Sequence, residues 1–228
     1  DFASEHILFP QELFYKLFSD YLFWITEYIP QNKVFVAHNT QEQFFLILHA
    51  FEAQESFHAT TFEHLKTIKK SIAVCEPKTY GDTFSSYLTP IRSAFKETNL
   101  KIEPVEHALT ELQSNTKVLE RYANYLTHTD FVPHNFRIKD HSVYMLDCSS
   151  VHFGNKYEGW ARFLNYMLIH NPELERTTID YIRKNRGPEE YSDLRLMRLY
   201  KIGHLLNYYA IALEKTEGDL RELTKLRL

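Results

Sequence analysis

Residues 126–150 read LTHTDFVPHNFRIKDHSVYMLDCSS. Within this stretch FRI (136–138) and VYML (143–146) flank the polar turn KDHS, a pattern that predicts a β-hairpin. His128, Thr129 and Asp130 stand before the hairpin, Asn135 at its entrance and Asp147 at the end of its second strand. The spacing is H-x-D-x-x-x-x-N followed by a carboxylate. Phosphoryl transfer asks little covalent chemistry of a protein. It needs a carboxylate that orients the attacking hydroxyl and oxygen ligands that hold magnesium on the phosphates. Asp130 suits the first role, and Asn135 with Asp147, folded together by the hairpin, suit the second. Such a pattern also arises by chance, so its surroundings decide its weight.

Upstream, Pro104 sits where a first helical turn accepts proline. It opens PVEHALTELQSNTKVLERYANYL, whose Val105, Leu109, Leu112, Val118, Leu119 and Tyr122 make one apolar face and which delivers the chain to His128. Further back, EPKTYGD (76–82) predicts a loop, and TFSSYLTPIRSAF a helix interrupted near Pro90. Residues 41–71 carry apolar side chains at helical spacing, with Phe44, Phe45, Phe51 and Phe57 assigned to the core, and predict one long helix or a helix pair. YLFWITEYI (21–29) is aromatic and β-branched, uncharged before Glu27 and bounded by Pro30; it predicts a buried strand leaving the core. Beyond Gly154 four helices are predicted, near 156–170, 172–185, 190–214 and 218–227. The fold class is α+β, mainly α.

Composition narrows the function. At 228 residues and 44% hydrophobic content, the chain fills one large domain or two small ones. Its 26 basic residues are scattered among 30 acidic ones, leaving no footprint for nucleic acid or an anionic membrane. No apolar run approaches the roughly 20 residues that span a bilayer. Cys75 and Cys148 are too few and too far apart for a disulfide framework or a metal cluster, so a reducing cytoplasm is the expected location. The first glycine is Gly81, so the chain holds no glycine-rich phosphate loop.

HTDFVPHNF resembles the catalytic loop of the aminoglycoside and choline kinase-like phosphotransferases, relatives of the protein kinases, and VYMLDCSS resembles the strand whose aspartate binds metal. LFWITEYIP is similar to the strand and hinge that join the two lobes of those enzymes. The resemblance implies a protein-kinase-like fold, with residues 1–30 a remnant of the N-lobe sheet and hinge, and residues 31–228 a helical C-lobe carrying the catalytic-loop hairpin and metal site. It implies ATP and Mg as cofactors, Asp130 as the catalytic base, Asn135 and Asp147 as metal ligands, the backbone of Glu27, Tyr28 and Ile29 as the adenine reader, and a small-molecule hydroxyl as acceptor. It gives His128 the task of holding the loop by bonding to backbone.

The chain also departs from that family. Thr129 stands where many members have glycine, Cys148 where an aromatic or apolar residue is common, and only Glu158 is available as the acidic residue of the next helix start. The glycine-rich loop, the strand lysine and its glutamate partner are expected before residue 1, since neither Lys16 nor Lys33 lies in a strand of the right kind. The chain alone is then expected to be nearly inert, with apolar surface bared around Phe2, Ile7, Leu8 and Phe23. The competing class is a catalytically inactive C-lobe fragment or degenerate relative that binds a ligand or a protein.

Other polar residues read as structural. His134 belongs to an exposed loop. Glu55-x-x-His58 has the spacing of a di-iron helix but no second copy. Arg195, Arg198 and Lys201 share a helix face that could meet an anionic substrate group, but with Asp193 and Glu190 nearby a solvated face is expected. From Gly154 onward 13 Lys and Arg stand against 11 Asp and Glu, without the acidic bias a polycationic acceptor favours.

Overall fold

The computed structural model describes residues 7–31, 33–139, 142–147 and 149–228. A two-residue strand, β1 (Ile7–Leu8), leads into a hairpin of β2 (Glu12–Phe18) and β3 (Tyr21–Thr26). Helices α1 (Thr40–Glu63), α2 (Leu65–Ile68), α3 (Pro77–Thr98), α4 (Glu103–Ser114) and α5 (Thr116–Arg121) follow. Strands β4 (Tyr125–His128), β5 (Phe136–Lys139), β6 (Ser142–Met145) and β7 (Val151–Gly154) carry the motif. Helices α6 (Glu158–His170), α7 (Pro172–Asn185), α8 (Pro188–Lys215) and α9 (Gly218–Arg227) complete the chain. The architecture is α+β and mainly α.

β5 and β6 form the expected hairpin, with Phe136 opposite Met145 and Lys139 opposite Ser142. Its turn residues Asp140 and His141 lie outside the described residues, as does Cys148. A second strand pair encloses it. β4 and β7 run antiparallel from Tyr125 opposite Gly154 to His128 opposite Val151, and Thr129 N–H donates to the Ser150 carbonyl at 2.9 Å. The motif loop is thus closed at its base by a ladder. That ladder takes Tyr125 and Leu126 from the predicted helix over 104–126, which also breaks at Asn115 into α4 and α5.

EPKTYGD is helical rather than a loop. Pro77 occupies the first turn, where its missing N–H is not needed, and α3 continues through Gly81 and Pro90. The buried stripe of Tyr80, Phe84, Tyr87, Ile91 and Phe95 holds the helix together where Pro90 forfeits a backbone bond. A Cβ on Gly203 would stand 2.1 Å from the Phe84 ring, so glycine is what lets α8 lie this close to α3. Residues 41–71 form a pair, α1 and α2, broken at His64.

The core lies under the motif loop. Phe131 and Val132 are wholly buried, and Phe131 stacks on Phe136 with ring centroids 5.0 Å apart. Burial of such a side chain contributes about 1.5–3 kcal/mol, so FVP anchors the loop as a plug while its polar neighbours stay at the surface. Phe51 stacks on Trp160 at 3.7 Å. Phe45, expected in the core, is 61% exposed because it turns away from that face of α1.

The strand expected to be buried at 21–29 forms but is not buried. Every residue of β2 and β3 is exposed, including Phe14, Phe18, Phe23 and Trp24, because among the described residues the two strands pack chiefly on each other. Ile29 returns to the core at 3% exposure. Ile7 and Leu8, expected bare, pair in parallel with Val143 and Tyr144; Phe2 lies outside the described residues. A two-stranded ribbon with apolar side chains on both faces and open edges invites pairing with another chain. Purified residues 1–228 are expected to associate in a concentration-dependent way, with Trp24→Lys shifting them toward monomer in sedimentation. A clean monomer at high concentration contradicts this.

Candidate active site

Asp130 lies two residues past the end of β4, and both of its carboxylate oxygens are held. Arg162, one turn into α6, donates Nε–H to Oδ1 at 2.7 Å, and Asn135 donates Nδ2–H to Oδ2 at 2.8 Å and to the Asp130 carbonyl at 2.9 Å. The short helical turn Pro133–Asn135 brings the asparagine back beneath the aspartate. His128 bonds through Nε2 to the Asp147 carbonyl, linking the start of the loop to the end of the hairpin, and burial lowers its pKa. His134 is exposed.

Leu146 N–H donates to the Asn135 carbonyl at 2.9 Å, so Asn135 and Asp147 leave the mouth of the hairpin together. Ser149 donates its hydroxyl to Asp147 Oδ1 at 2.6 Å and its N–H to the same atom at 2.9 Å, which holds that carboxyl below the usual range. Asp147 Oδ2 and Asn135 Oδ1 make no hydrogen bond among the described residues. A carboxylate oxygen and an amide oxygen are hard donors of the kind Mg takes, and the ion ordinarily fills its remaining positions with water and phosphate. The donor set fits. No cluster of three or more His, Cys, Asp or Glu suited to a metal occurs among the described residues, and Glu55 is instead paired with Lys156 at 2.9 Å.

Beside Asp130 opens a cleft of about 650 Å³, lined by Thr129, Ser150 and His152 at the β4–β7 ladder and by Arg162, Lys201 and four tyrosines of α6, α8 and α3. Neither Asn135 nor Asp147 lines it, nor do Glu27, Tyr28 and Ile29. The last three lie at the foot of the β2–β3 hairpin, where Glu27 N–H donates to the Gln11 carbonyl at 2.8 Å and Tyr28 is 83% exposed. The wall of the cleft hides an ionic cluster. Glu158, 1% exposed, receives Lys201 Nζ at 2.7 Å, His152 Nε2 at 2.8 Å and the Tyr80 hydroxyl. Burial pushes its carboxyl up, but Lys201 and His152 together outweigh burial and hold it at about 2. A Cβ on Gly154 would stand 2.5 Å from Glu158 Oε1, so glycine ends β7 where this carboxylate comes in.

Solved structures share the fold that carries this site. A thermostable mutant of the aminoglycoside phosphotransferase APH(4)-Ia in its apo form matches with a TM-score of 0.65 at 17% identity, covering 99% of this chain and 77% of that one. The GDP complex of wild-type aminoglycoside 2'-phosphotransferase-IIIa matches with a TM-score of 0.63 at 14% identity, covering 97% and 74%. The chain has the aminoglycoside phosphotransferase fold. The APH(4)-Ia protein has also been solved as a mutant in ternary complex with ADP and hygromycin B, which matches with a TM-score of 0.64 at 17% identity and covers 99% of this chain and 77% of that one. No protein-family profile matches the sequence, and no curated protein is significantly similar to it. Among the described residues no helix of this phosphotransferase fold is long and apolar enough to cross a membrane.

Reading the sequence missed Arg162, His152 and the role of Lys201. Glu158 and Arg162 are four apart at the start of α6, a spacing that puts them on one helix face, and this was the available signal. The triplet Arg195, Arg198 and Lys201 is not the solvated face expected. Lys201 is 7% exposed, and Arg198 bonds Glu175 at 2.7 Å and Asn165 at 2.9 Å, because α8 lies between α6 and α3; only Arg195 is exposed.

Asp193 lies behind the site, fully buried. Its Oδ1 accepts from Asn155 Nδ2 at 3.0 Å, its Oδ2 has no partner, and burial drives its pKa up to about 8. The folded chain therefore holds a proton here that the unfolded chain releases near pH 4. That contribution is complete below pH 4 and is lost by at most about 1.4 kcal/mol per pH unit as the pH rises toward 8. Asp193→Asn keeps the bond to Asn155 and carries no charge. Its melting temperature relative to the parent chain is expected to climb steadily between pH 5 and 8; a difference that does not change with pH contradicts the assignment.

Proposed function

We propose that the chain carries the catalytic portion of an ATP- and Mg-dependent phosphotransferase acting on a hydroxyl of a small molecule in the cytoplasm. The observation that supports this best is the grip on Asp130, held by Arg162 at 2.7 Å and by Asn135 at 2.8 Å at the edge of the cleft. A carboxylate fixed in direction can orient a bound hydroxyl and accept its proton as the oxygen meets phosphorus. Asp147 and the Asn135 amide oxygen would hold Mg, which when bound offsets the charge of the transferring phosphate. The backbone of Glu27, Tyr28 and Ile29 would read the adenine. Phosphorus NMR of Mg-ATP with a panel of hydroxylated small molecules, run on the protein together with whatever is encoded ahead of Asp1, tests the reading. A new phosphomonoester is the expected product, and bound nucleotide with no ester formed from any acceptor would sink it. A glycine-rich hairpin and a strand lysine encoded ahead of Asp1 would also support it.

A non-catalytic reading, a C-lobe module that binds a ligand or a protein, draws on the bare β2–β3 hairpin and on the absence of glycine before Gly81. On this reading no glycine-rich loop covers a triphosphate, and most of the catalysis in phosphoryl transfer comes from such positioning. Failure of Mg-nucleotide to bind in calorimetry is the outcome that favours this reading.

A further inference from the structure

The lining of the cleft bears on what kind of molecule it takes. Its two carboxylates are already matched within the protein, Asp130 by Arg162 at 2.7 Å and Glu158 by Lys201 at 2.7 Å. An entering ammonium group finds no free carboxylate in this lining and meets the field of two cations. Displacing Lys201 would strand Glu158, which is 1% exposed, without its cation. The balance of 13 basic against 11 acidic residues from Gly154 onward gives no wider attraction for a polycation.

What the cleft offers instead is aromatic surface and hydroxyls. Tyr87 and Tyr200 have ring centroids 6.5 Å apart, and His204 lies 5.9 Å from Tyr87, making a continuous wall. Tyr208, which also lines the cleft, is 62% exposed, and its ring stands at 74° to that of Tyr209 with centroids 5.3 Å apart. Thr129 and Ser150 supply hydroxyls across the cleft beside Asp130. Flat aromatic faces take the C–H surface of a saturated ring, while hydroxyls on both sides pair with its polar edge.

We propose that the acceptor is an uncharged polyhydroxylated ring, a sugar-like polyol rather than a polyamine, stacked on Tyr208 with its reacting hydroxyl toward Asp130. The inference rests on the phosphotransferase reading for the word acceptor, but its binding is readable without transfer.

Saturation-transfer NMR on the chain without nucleotide tests it, with neutral methyl glycosides, an aminocyclitol polyamine and a sugar phosphate as probes. Ring protons of a neutral glycoside are expected to be saturated. Tyr208→Ala is expected to weaken that glycoside roughly tenfold and Tyr208→Phe to keep its affinity, since the phenyl face remains. Tyr208 is exposed, so neither change disturbs the core. Preference for the polyamine or the sugar phosphate overturns the inference, as does no saturation of any neutral probe. Equal affinity in Tyr208→Ala places binding elsewhere and overturns it too. A neutral glycoside that binds as expected but receives no phosphate from Mg-ATP, even in protein that includes what is encoded ahead of Asp1, leaves the inference standing and removes the phosphotransferase reading.

Discussion

Asp130→Ala, made in the protein with a triphosphate-covering lobe in place, is expected to lower phosphoryl transfer by about 10²–10⁴-fold, the usual contribution of a positioned acid–base group, with Mg-nucleotide affinity nearly unchanged. Asp147→Ala is expected to remove Mg-dependent nucleotide binding altogether. The split follows from where the two carboxylates point. Asp130 lines the cleft and is tied to Arg162 and Asn135, whereas Asp147 faces Ser149 at the mouth of the hairpin with one oxygen left over. Because Asp130→Ala also releases Arg162, Asp130→Asn serves as the companion variant. It preserves shape and an acceptor oxygen but cannot take a proton, so it is expected to be as slow as the alanine variant while melting closer to the parent. Titration with Mg-nucleotide decides: equal loss of affinity at Asp130 and Asp147 contradicts the separate roles.

Lys201→Met is expected to destabilise the fold by about 3–5 kcal/mol, because it removes the cation from a buried carboxylate. For a chain of this size that corresponds to a fall in melting temperature of roughly 10 °C. Glu158 would keep His152 and the Tyr80 hydroxyl but lose the partner that does most to offset its burial. Adding Glu158→Gln to Lys201→Met leaves no charge to strand and is expected to recover most of the loss. The sign with pH is also set. A carboxyl held at about 2 in the fold stabilises it above the ordinary glutamate range, near pH 4.3, and loses that contribution as the pH falls toward 2. Thermal melts of the two variants between pH 3 and 8 measure both effects. A Lys201→Met protein as stable as the parent at neutral pH would show that the pair is dispensable.

The motif hairpin and the four C-terminal helices were legible because their signals are local. A polar turn between FRI and VYML, and apolar residues at helical spacing after Gly154, specify elements whose partners lie within a few residues. Local rules misled where a local breaker was overruled by packing. Pro77 and Gly81 read as a loop, yet the stripe from Tyr80 to Phe95 carries α3 through them. They misled again at 21–29, where an apolar run implies burial but β3 has only β2 for company among the described residues.

The sequence by itself determined the identity and spacing of His128, Asp130, Asn135 and Asp147, and with the hairpin it determined that Asn135 and Asp147 leave its mouth together, because one residue of register fixes where every neighbour goes. Only the tertiary structure decided that Arg162 holds Asp130, that Lys201 is sunk against Glu158 beside it, and that tyrosines from α3 and α8 close the cleft. Those contacts join residues 32 and 43 positions apart, or separate helices altogether. No periodicity reports such a meeting, since it depends on how α6, α8 and the β4–β7 ladder pack, and helix packing is set by the summed shape of whole faces rather than by any one residue.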